Sequence, residues 1–185
     1  MANKITCFIR GFEVVETPEE RVRQEYARRL VEEYGYPKDC VDLEVPIQIG
    51  RDDTKKADIV IYHTVKDKEM RENHYIIVEC KEPDVKYPDG EKQLKSYVNA
   101  TTTSIGVWTN GLEFKYWKRL KDPDHYDEKG YLPKYGQEYG DKKILKKDLR
   151  PSSNLQAKFD RIHNDIYANY KAGNKAKVFY QVIYL

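Results

Sequence analysis

The sequence contains few of the soft side chains that bind metals or form disulfides. It has three cysteines in 185 residues, Cys7, Cys40 and Cys80, and no two of them are close in the chain. This wide spacing argues against a disulfide framework and against a zinc cluster, so we expect a reduced, cytoplasmic setting. The four histidines show no paired spacing either, and we expect them at the surface or in turns.

Long hydrophobic runs are also missing. No apolar segment reaches the roughly 18 residues that mark a membrane helix, and the first residues, MANKITCFIRG, lack the apolar core of a signal peptide. Charged residues make up 35% of the chain, and its mean hydropathy is −0.86. We therefore expect a soluble protein without a membrane partner.

A strong excess of one charge is absent as well, since the formal net charge is +2 and the pI is about 8.2. Such a balance permits nucleic-acid binding but does not argue for it. The sequence also has neither a G-x-x-x-x-G-K-[ST] motif nor a glycine-rich loop after a strand. ATP or S-adenosylmethionine would therefore be bound only by domains outside these residues.

The pattern that is present predicts a mixed α/β sheet flanked by helices, in a chain long enough for one domain with an appended piece. The clearest helix begins at Pro18 after the N-cap Thr17, with Glu20 completing a capping box, and is expected to end near Tyr34, before Gly35. Short apolar runs predict strands, and a second amphipathic stretch predicts a helix. The predicted strands are 41–49, 57–62, 75–80, 104–108 and 112–117, and the second helix is 91–100.

The last third of the chain has a different character. Residues 119–150 are rich in Gly, Pro, Tyr and Lys and predict surface structure with a short strand at 143–145. A capped helix is predicted at 154–172, and an apolar segment follows it. We expect one domain at 1–150 and a helical extension at 151–185, the latter being the start of a following domain in a longer parent protein.

The chain is organised around residues 57–81, in which two apolar runs predict a β-hairpin with a long loop. Asp58 opens the first run, and Glu79 and Lys81 close the second, where burial is otherwise expected. Because side chains alternate along a strand, Glu79 and Lys81 share one face, and Cys80 lies on the other. Two carboxylates and an ammonium group at one sheet end indicate a cation-dependent hydrolytic site.

The first predicted helix carries charges that have two interpretations. Glu19 and Glu20 lie in its first turn, and Arg23 falls near the middle of its apolar stripe. These acids either serve the cap and the helix dipole, or the first turn faces a polar cleft, with Glu20 aimed at whatever Asp58 and Glu79 bind. The residues alone leave both interpretations open.

Phosphodiester hydrolysis requires that the phosphate charge is screened and that a water molecule is activated. Magnesium held by one or two carboxylates and several waters does both, and manganese commonly substitutes for it. Asp58 and Glu79 supply the carboxylates, and a carbonyl at a strand end can add a third oxygen. Lys81 can orient or help to deprotonate the water, or stabilise the developing charge.

Five segments together resemble the PD-(D/E)xK nuclease superfamily. Within it they are similar to the N-terminal nuclease domain of type I restriction enzyme restriction subunits and related restriction–modification proteins. The resemblance covers residues 13–118. The segments are TPEERVRQ at 17–24, KKADIVIY at 55–62, IIVECKEP at 76–83, QLKSY at 93–97 and TNGLEF at 109–114.

The resemblance implies a restriction-endonuclease-like fold and a role for single residues. Asp58 and Glu79 match the two metal-binding carboxylates, and Lys81 matches the catalytic lysine. The backbone carbonyl of Cys80 would complete the shell of a Mg²⁺ ion. One departure is Ala57, which stands where the motif commonly has proline.

Two further positions of the motif lie on the predicted helices. Gln93 and Tyr97 match a Q-x-x-x-Y motif that supports the active site and DNA contact in such nucleases. Glu20 matches the acidic residue of the first helix and would be a further metal ligand, with Glu19 as the alternative. All these residues would then belong to one catalytic site.

The resemblance implies a Mg²⁺-dependent DNA endonuclease domain of a restriction–modification system. Its partners would be DNA and the helicase, methyltransferase or specificity domains of such a complex. The segment FDRIHNDIYANY at 159–170 also resembles one that precedes the catalytic domain of some adenine-specific DNA methyltransferases, which would make the parent a nuclease–methyltransferase fusion. The alternatives are a catalytically silent nuclease-like module that binds DNA or a partner subunit, and a purely structural assembly domain.

Overall fold

The computed structural model describes residues 2–51, 55–70, 73–120 and 125–139. The strand predicted at 143–145, the helix predicted at 154–172 and the proposed domain boundary after residue 150 lie outside these residues. No helix in the part of the chain that the structure describes is long and apolar enough to cross a membrane.

The described strands form a small hairpin and a six-stranded mixed sheet, which confirms the predicted α/β class. The hairpin pairs β1 (Lys4–Thr6) with β2 (Glu13–Val15). The large sheet contains, in both chain order and spatial order, β3 (Val41–Pro46), β4 (Lys56–Ile61), β5 (Ile76–Cys80), β6 (Ile105–Thr109), β7 (Phe114–Arg119) and β8 (Tyr126–Lys129). Neighbouring strands of this sheet are antiparallel except β5 and β6, which are parallel.

Two helices cover the sheet. The first, α1 (Pro18–Glu32), begins as predicted, because the Thr17 side chain accepts a hydrogen bond from the Glu20 amide at 3.0 Å. It ends two residues before the predicted position, and Gly35 follows with a φ of +78°. The second, α2 (Glu91–Ala100), has the predicted bounds and connects the parallel strands β5 and β6.

The helices pack on opposite faces of the sheet, so the fold has three layers. On the α1 face the main buried residues are Tyr26, Ala27, Leu30, Ile59, Ile61, Ile76, Val78, Cys80 and Val107. On the α2 face they are Val60, Ile77, Leu94, Tyr97, Val98, Trp108 and Trp117. This division confirms the predicted alternation along β5, in which Cys80 faces away from Glu79 and Lys81.

The pairing of β3 with β4 is interrupted where Glu44 lies opposite Asp58. Regular partners lie on both sides of this point, but the register skips these two residues. Glu44 has a φ of +49°, in the left-handed region that residues other than glycine rarely adopt. The interruption lets Asp58 leave the regular alternation of β4, and its carboxylate turns toward α1 and the end of β5.

Two short strands are not predicted by the sequence pattern. β2 has three residues, and β8, with the polar sequence YDEK, is one of the two outer strands of the large sheet as far as the structure describes it. Edge strands carry charged residues because these discourage pairing with another chain. Their sequences therefore resemble surface loops, and only pairing with β7 identifies β8 as a strand.

The expectation that every histidine lies at the surface or in a turn is wrong for His74. Its side chain is buried, with 3% exposure, and packs edge-on against the ring of Tyr62. Neither ring nitrogen has a hydrogen-bond partner among the described residues. Burial without a partner disfavours the protonated ring and lowers the pKa of His74 from 6.5 to about 4.

Replacing His74 by phenylalanine is expected to remove a component of the pH dependence of stability. Between pH 4 and 6.5 the unfolded chain binds a proton at His74 that the folded chain does not. The free energy of unfolding of the wild type therefore falls as the pH is lowered through this range, by about 2 kcal/mol at pH 5. Urea unfolding of both proteins between pH 5 and 8 measures the difference, and a constant difference would contradict the assignment.

Candidate functional site

The site residues predicted on β4 and β5 lie together at one end of these inner strands of the large sheet. Because β5 and β6 are parallel, their carboxyl ends lie side by side, and the amide of Lys81 donates to the carbonyl of Thr109 at 2.8 Å. Asp58 approaches from β4, and its Oδ2 accepts a hydrogen bond from the amide of Cys80 at 2.7 Å. The structure thus brings Asp58 to the strand end that carries Glu79 and Lys81.

Glu79 and Lys81 form a close ion pair. The Nζ of Lys81 lies 2.5 Å from the Oε1 of Glu79, and the two side chains are 20% and 2% exposed. The other carboxylate oxygen of Glu79, Oε2, is buried and has no hydrogen-bond partner in the described ranges. An ionised carboxylate in such a position carries a desolvation cost that the ion pair through Oε1 offsets only in part.

The charges around Glu79 and Lys81 shift the pKa values of both groups. Burial and the neighbouring Asp58 raise the pKa of Glu79 to about 7, although the hydrogen bond from Lys81 lowers it in part. Burial alone would lower the pKa of Lys81, but the hydrogen bond and charge of Glu79, together with Asp58, raise it above its ordinary value. Lys81 is therefore an ammonium ion at neutral pH.

Arg23 of α1 is a member of the site that sequence reasoning did not assign. Its Nη2 lies 2.8 Å from the Oδ1 of Asp58, and its Nη1 lies 2.6 Å from the Oε2 of Glu20. Its side chain is 11% exposed. The signal for this role was present, because a charged residue in the middle of an apolar stripe must find a partner when it is buried.

The two acids of the first turn of α1 have different surroundings. Besides Arg23, Glu20 accepts a hydrogen bond from the Nε2 of Gln24 at 2.7 Å, so both of its carboxylate oxygens are engaged. Glu19 is more exposed and remains within electrostatic reach of the site. Burial raises the pKa of Glu19, the charge of Asp58 raises it further, and Lys81 lowers it.

Gln93 and Tyr97 lie one turn apart on α2 and are hydrogen-bonded to each other. The Nε2 of Gln93 donates to the Oη of Tyr97 at 2.7 Å. Burial raises the pKa of Tyr97, and the hydrogen bond with Gln93 lowers it in part. The negative charges of Glu79 and Asp58 raise it further, so the hydroxyl lies within their electrostatic reach.

The N-terminus of α2 packs directly on the end of β5. Gly90 has a φ of +89°, and a Cβ atom at this position would lie 2.8 Å from the Cε of Lys81. The indole of Trp108 donates from Nε1 to the carbonyl of Asp89 at 2.6 Å and holds the turn in place. Glycine at 90 thus leaves room for the Lys81 side chain, a requirement that the sequence pattern did not reveal.

Asn110 joins two loops beside the site. Its amide donates to the carbonyl of Val85 at 2.9 Å, in the loop that follows Lys81. Its Oδ1 accepts from the amides of Leu112 and Glu113, in the turn between β6 and β7. This turn lies between the predicted strands 104–108 and 112–117, and the Asn110 side chain also fixes the chain that leaves β5.

A comparison with protein-family models matches residues 18–133 to the type I restriction enzyme R protein N terminus. The chain belongs to this family. Comparisons with curated proteins and with solved structures found no match. The matched segment contains every candidate site residue from Glu19 to Asn110, and it confirms the resemblance to the N-terminal domain of type I restriction enzyme restriction subunits.

Membership in the type I restriction enzyme R family fits a role in restriction–modification. The family also implies a complex with other subunits of such a system. The domain is the nuclease-like N-terminal part of that family, and its mixed sheet with flanking helices is consistent with this.

The carboxylate oxygens at the site of this restriction-family domain suit Mg²⁺ better than they suit zinc. In the described ranges no group of three or more His, Cys, Asp and Glu side chains is arranged to hold a metal ion. Mg²⁺ does not require such a group, because one or two carboxylates and several waters commonly complete its shell. The unpartnered oxygen of Glu79 beside Asp58 therefore fits Mg²⁺ better than zinc.

Proposed function

We propose that this domain is a Mg²⁺-dependent DNA endonuclease of the PD-(D/E)xK type that acts within a restriction–modification system. The observation that carries the proposal is the state of Glu79. It is buried at a strand end beside the charge of Asp58, paired with Lys81 through one oxygen, and without a partner at the other among the described residues. The fold would be more stable with a well-packed apolar residue in place of such a group, so stability alone does not explain its presence.

The residues that would hold the ion are the carboxylates of Asp58 and Glu79 and the carbonyl of Cys80. The amide of Cys80 points to Asp58, and in a strand the amide and carbonyl of one residue point to the same side. When bound, Mg²⁺ would activate a water molecule and screen the phosphate charge. Mn²⁺ would substitute for it, and Glu19 or Glu20 would add an acid from α1.

Lys81 acts in this proposal as a cation. Glu79 and Asp58 raise the pKa of Lys81, so its protonated form is favoured at neutral pH. It can donate hydrogen bonds that orient the attacking water and stabilise the negative charge that develops on the phosphate. Gln93 and Tyr97 would support this site from α2 and contact the DNA.

The other tasks of a restriction–modification system would fall to other domains or subunits. These would include DNA translocation by an ATP-dependent helicase, modification by a methyltransferase that uses S-adenosylmethionine, and target recognition by a specificity subunit. The family supports a complex of this kind. The domain would supply cleavage within that complex, in the cytoplasm.

The second candidate function is a nuclease-like module that binds DNA or a partner subunit without cleaving. One observation favours it. Both carboxylate oxygens of Asp58 already have partners, Oδ1 in Arg23 and Oδ2 in the amide of Cys80. In this alternative the polar cluster would be a buried ion-pair network without a metal.

Titration with Mn²⁺, followed by electron paramagnetic resonance, separates the two candidates. The wild-type chain is expected to bind Mn²⁺, and Asp58→Asn is expected to weaken binding by at least about tenfold, as loss of a metal-site group does. Asp42→Asn, which changes a half-exposed residue of β3, is the matched control and should bind normally.

Cleavage of supercoiled plasmid DNA with Mg²⁺ completes the test. Loss of cleavage in Asp58→Asn, with Asp42→Asn active, supports the endonuclease. Absence of Mn²⁺ binding by the wild type contradicts it. Mn²⁺ binding without cleavage, even in the assembled restriction complex, favours the silent module instead.

A further inference from the structure

We propose that Arg23 occupies the place of a second metal ion. In this inference its guanidinium is a tethered cation that joins Asp58 to Glu20 and limits the site to one divalent ion. The inference rests on the proposed metal-dependent function and deepens it. It concerns a residue of α1 for which neither the catalytic motif nor the family match gives a role.

The geometry shows a cation that bridges two elements of the fold. Arg23 contacts Asp58 of β4 at 2.8 Å and Glu20 of α1 at 2.6 Å through different nitrogens. Its guanidinium also lies 3.5 Å from Glu19 and 3.8 Å from Glu44. A metal ion held by both β4 and α1 would need the carboxylates of Asp58 and Glu20 as ligands. The guanidinium of Arg23 already lies between these two carboxylates.

Burial makes this cation hard to displace. The side chains of Arg23, Asp58 and Glu20 are between 11% and 12% exposed. An ion that entered between the two acids would have to separate the guanidinium from both of them, and breaking buried ion pairs in this way is strongly unfavourable. The planar, forked guanidinium is also the group best suited to hold two carboxylates at once.

The charge balance of the site agrees with a single divalent ion. Its acidic groups are Asp58, Glu79, Glu19 and Glu20, and its basic groups are Arg23 and Lys81. Glu44 also lies near Arg23, but its charge is balanced by its own ion-pair partner, Arg10. When all are ionised, the formal charge of this cluster is −2. One divalent ion neutralises it, whereas a second would leave an excess positive charge in a largely buried place.

The inference assigns Glu20 a role different from metal ligation. Its oxygens are engaged by Arg23 and Gln24, so it holds the guanidinium and the helix in place. Glu20 is then a positioning residue that acts on Asp58 through Arg23. Glu19 is the more accessible acid of the first turn, with a side-chain exposure of 41%.

The number of Mn²⁺ ions bound per chain tests the inference. We expect one ion in the wild type and two in Arg23→Gln, because removing the guanidinium leaves an acidic site between Asp58 and Glu20. Arg21→Gln is the matched control on the same helix, since it removes the same charge from an exposed residue that pairs with Glu16. This control is expected to bind one ion, as the wild type does.

A second variant checks the role of Glu20 independently. Glu20→Gln is expected to lower Mn²⁺ affinity less than Asp58→Asn does, because its carboxylate holds Arg23, which in turn positions Asp58. A Mn²⁺ soak of wild-type crystals should show one anomalous peak at Asp58, with Arg23 still between the two acids. This measurement remains decisive even if a variant does not fold.

The outcomes separate this inference from the proposed function. Two ions in the wild type, or one ion in a folded Arg23→Gln protein, would contradict the role of Arg23 and leave the endonuclease proposal standing. A loss of Mn²⁺ affinity in Glu20→Gln as large as that in Asp58→Asn would also contradict it. No Mn²⁺ binding by the wild type would refute the proposed function and this inference together.

Discussion

Lys81→Met is expected to reduce Mg²⁺-dependent DNA cleavage by about 10²–10⁴-fold, the range that a positioned acid–base or charge-stabilising group contributes. Methionine keeps the length and the apolar part of the side chain but removes its charge and its hydrogen bond to Glu79. Cleavage rates of the two proteins on plasmid DNA at saturating Mg²⁺ measure the effect.

Lys81→Met should keep its fold and its bound ion, since lysine is not a metal ligand. Mn²⁺ binding is best compared at pH 8.5, because the loss of Lys81 raises the pKa of Glu79 further above 7. Lys95→Met is the matched control, as Lys95 forms a half-exposed ion pair with Glu91 on α2. Cleavage by Lys81→Met at a rate close to that of the control would remove Lys81 from the catalytic site.

The core of the site could be predicted from the sequence because its residues lie in regular strands. Apolar runs located β4 and β5, and alternation along β5 placed Glu79 with Lys81 and turned Cys80 away. Local periodicity is sufficient for positions of this kind, and it also gave the bounds of α2. The role of Gln93 and Tyr97 on that helix came instead from the Q-x-x-x-Y motif of the family resemblance.

The remaining features depend on contacts between distant parts of the chain, which periodicity does not describe. Arg23 and Asp58 are 35 residues apart, and their contact requires both α1 packing and the interruption of β4 opposite Glu44. The burial of His74 depends on Tyr62 in the preceding strand region. The strand β8 is recognisable only through its pairing with β7.

The Glu20 side chain has other hydrogen-bond partners in the folded protein than the capping box predicts. The capping box predicted from Thr17 and Glu20 is present in its first half, the hydrogen bond to the threonine side chain. The glutamate side chain, however, turns to Arg23 and Gln24. A charge-assisted bond to a buried guanidinium is stronger than one to an exposed backbone amide, so the longer-range contact is preferred.

Glu79→Gln is expected to abolish Mn²⁺ binding and, at the same time, to stabilise the metal-free protein by about 3 kcal/mol at pH 8. In the folded chain the pKa of Glu79 is about 7, above its ordinary value of 4.5, because the carboxylate is buried beside Asp58. Stability associated with protonated Glu79 is present below pH 4.5 and is lost as the pH rises through 7. Glutamine resembles the protonated side chain at every pH, so it avoids this loss.

Urea unfolding in the presence of EDTA at pH 5 and pH 8 measures the effect, which should be small at pH 5 and large at pH 8. Glu13→Gln, at an exposed residue of β2, is the control and should show no such pH dependence. A Glu79→Gln protein less stable than the wild type at pH 8 would mean that the Lys81 ion pair outweighs burial. Greater stability combined with lost ion binding would show that Glu79 is kept for its chemistry at a cost to the fold.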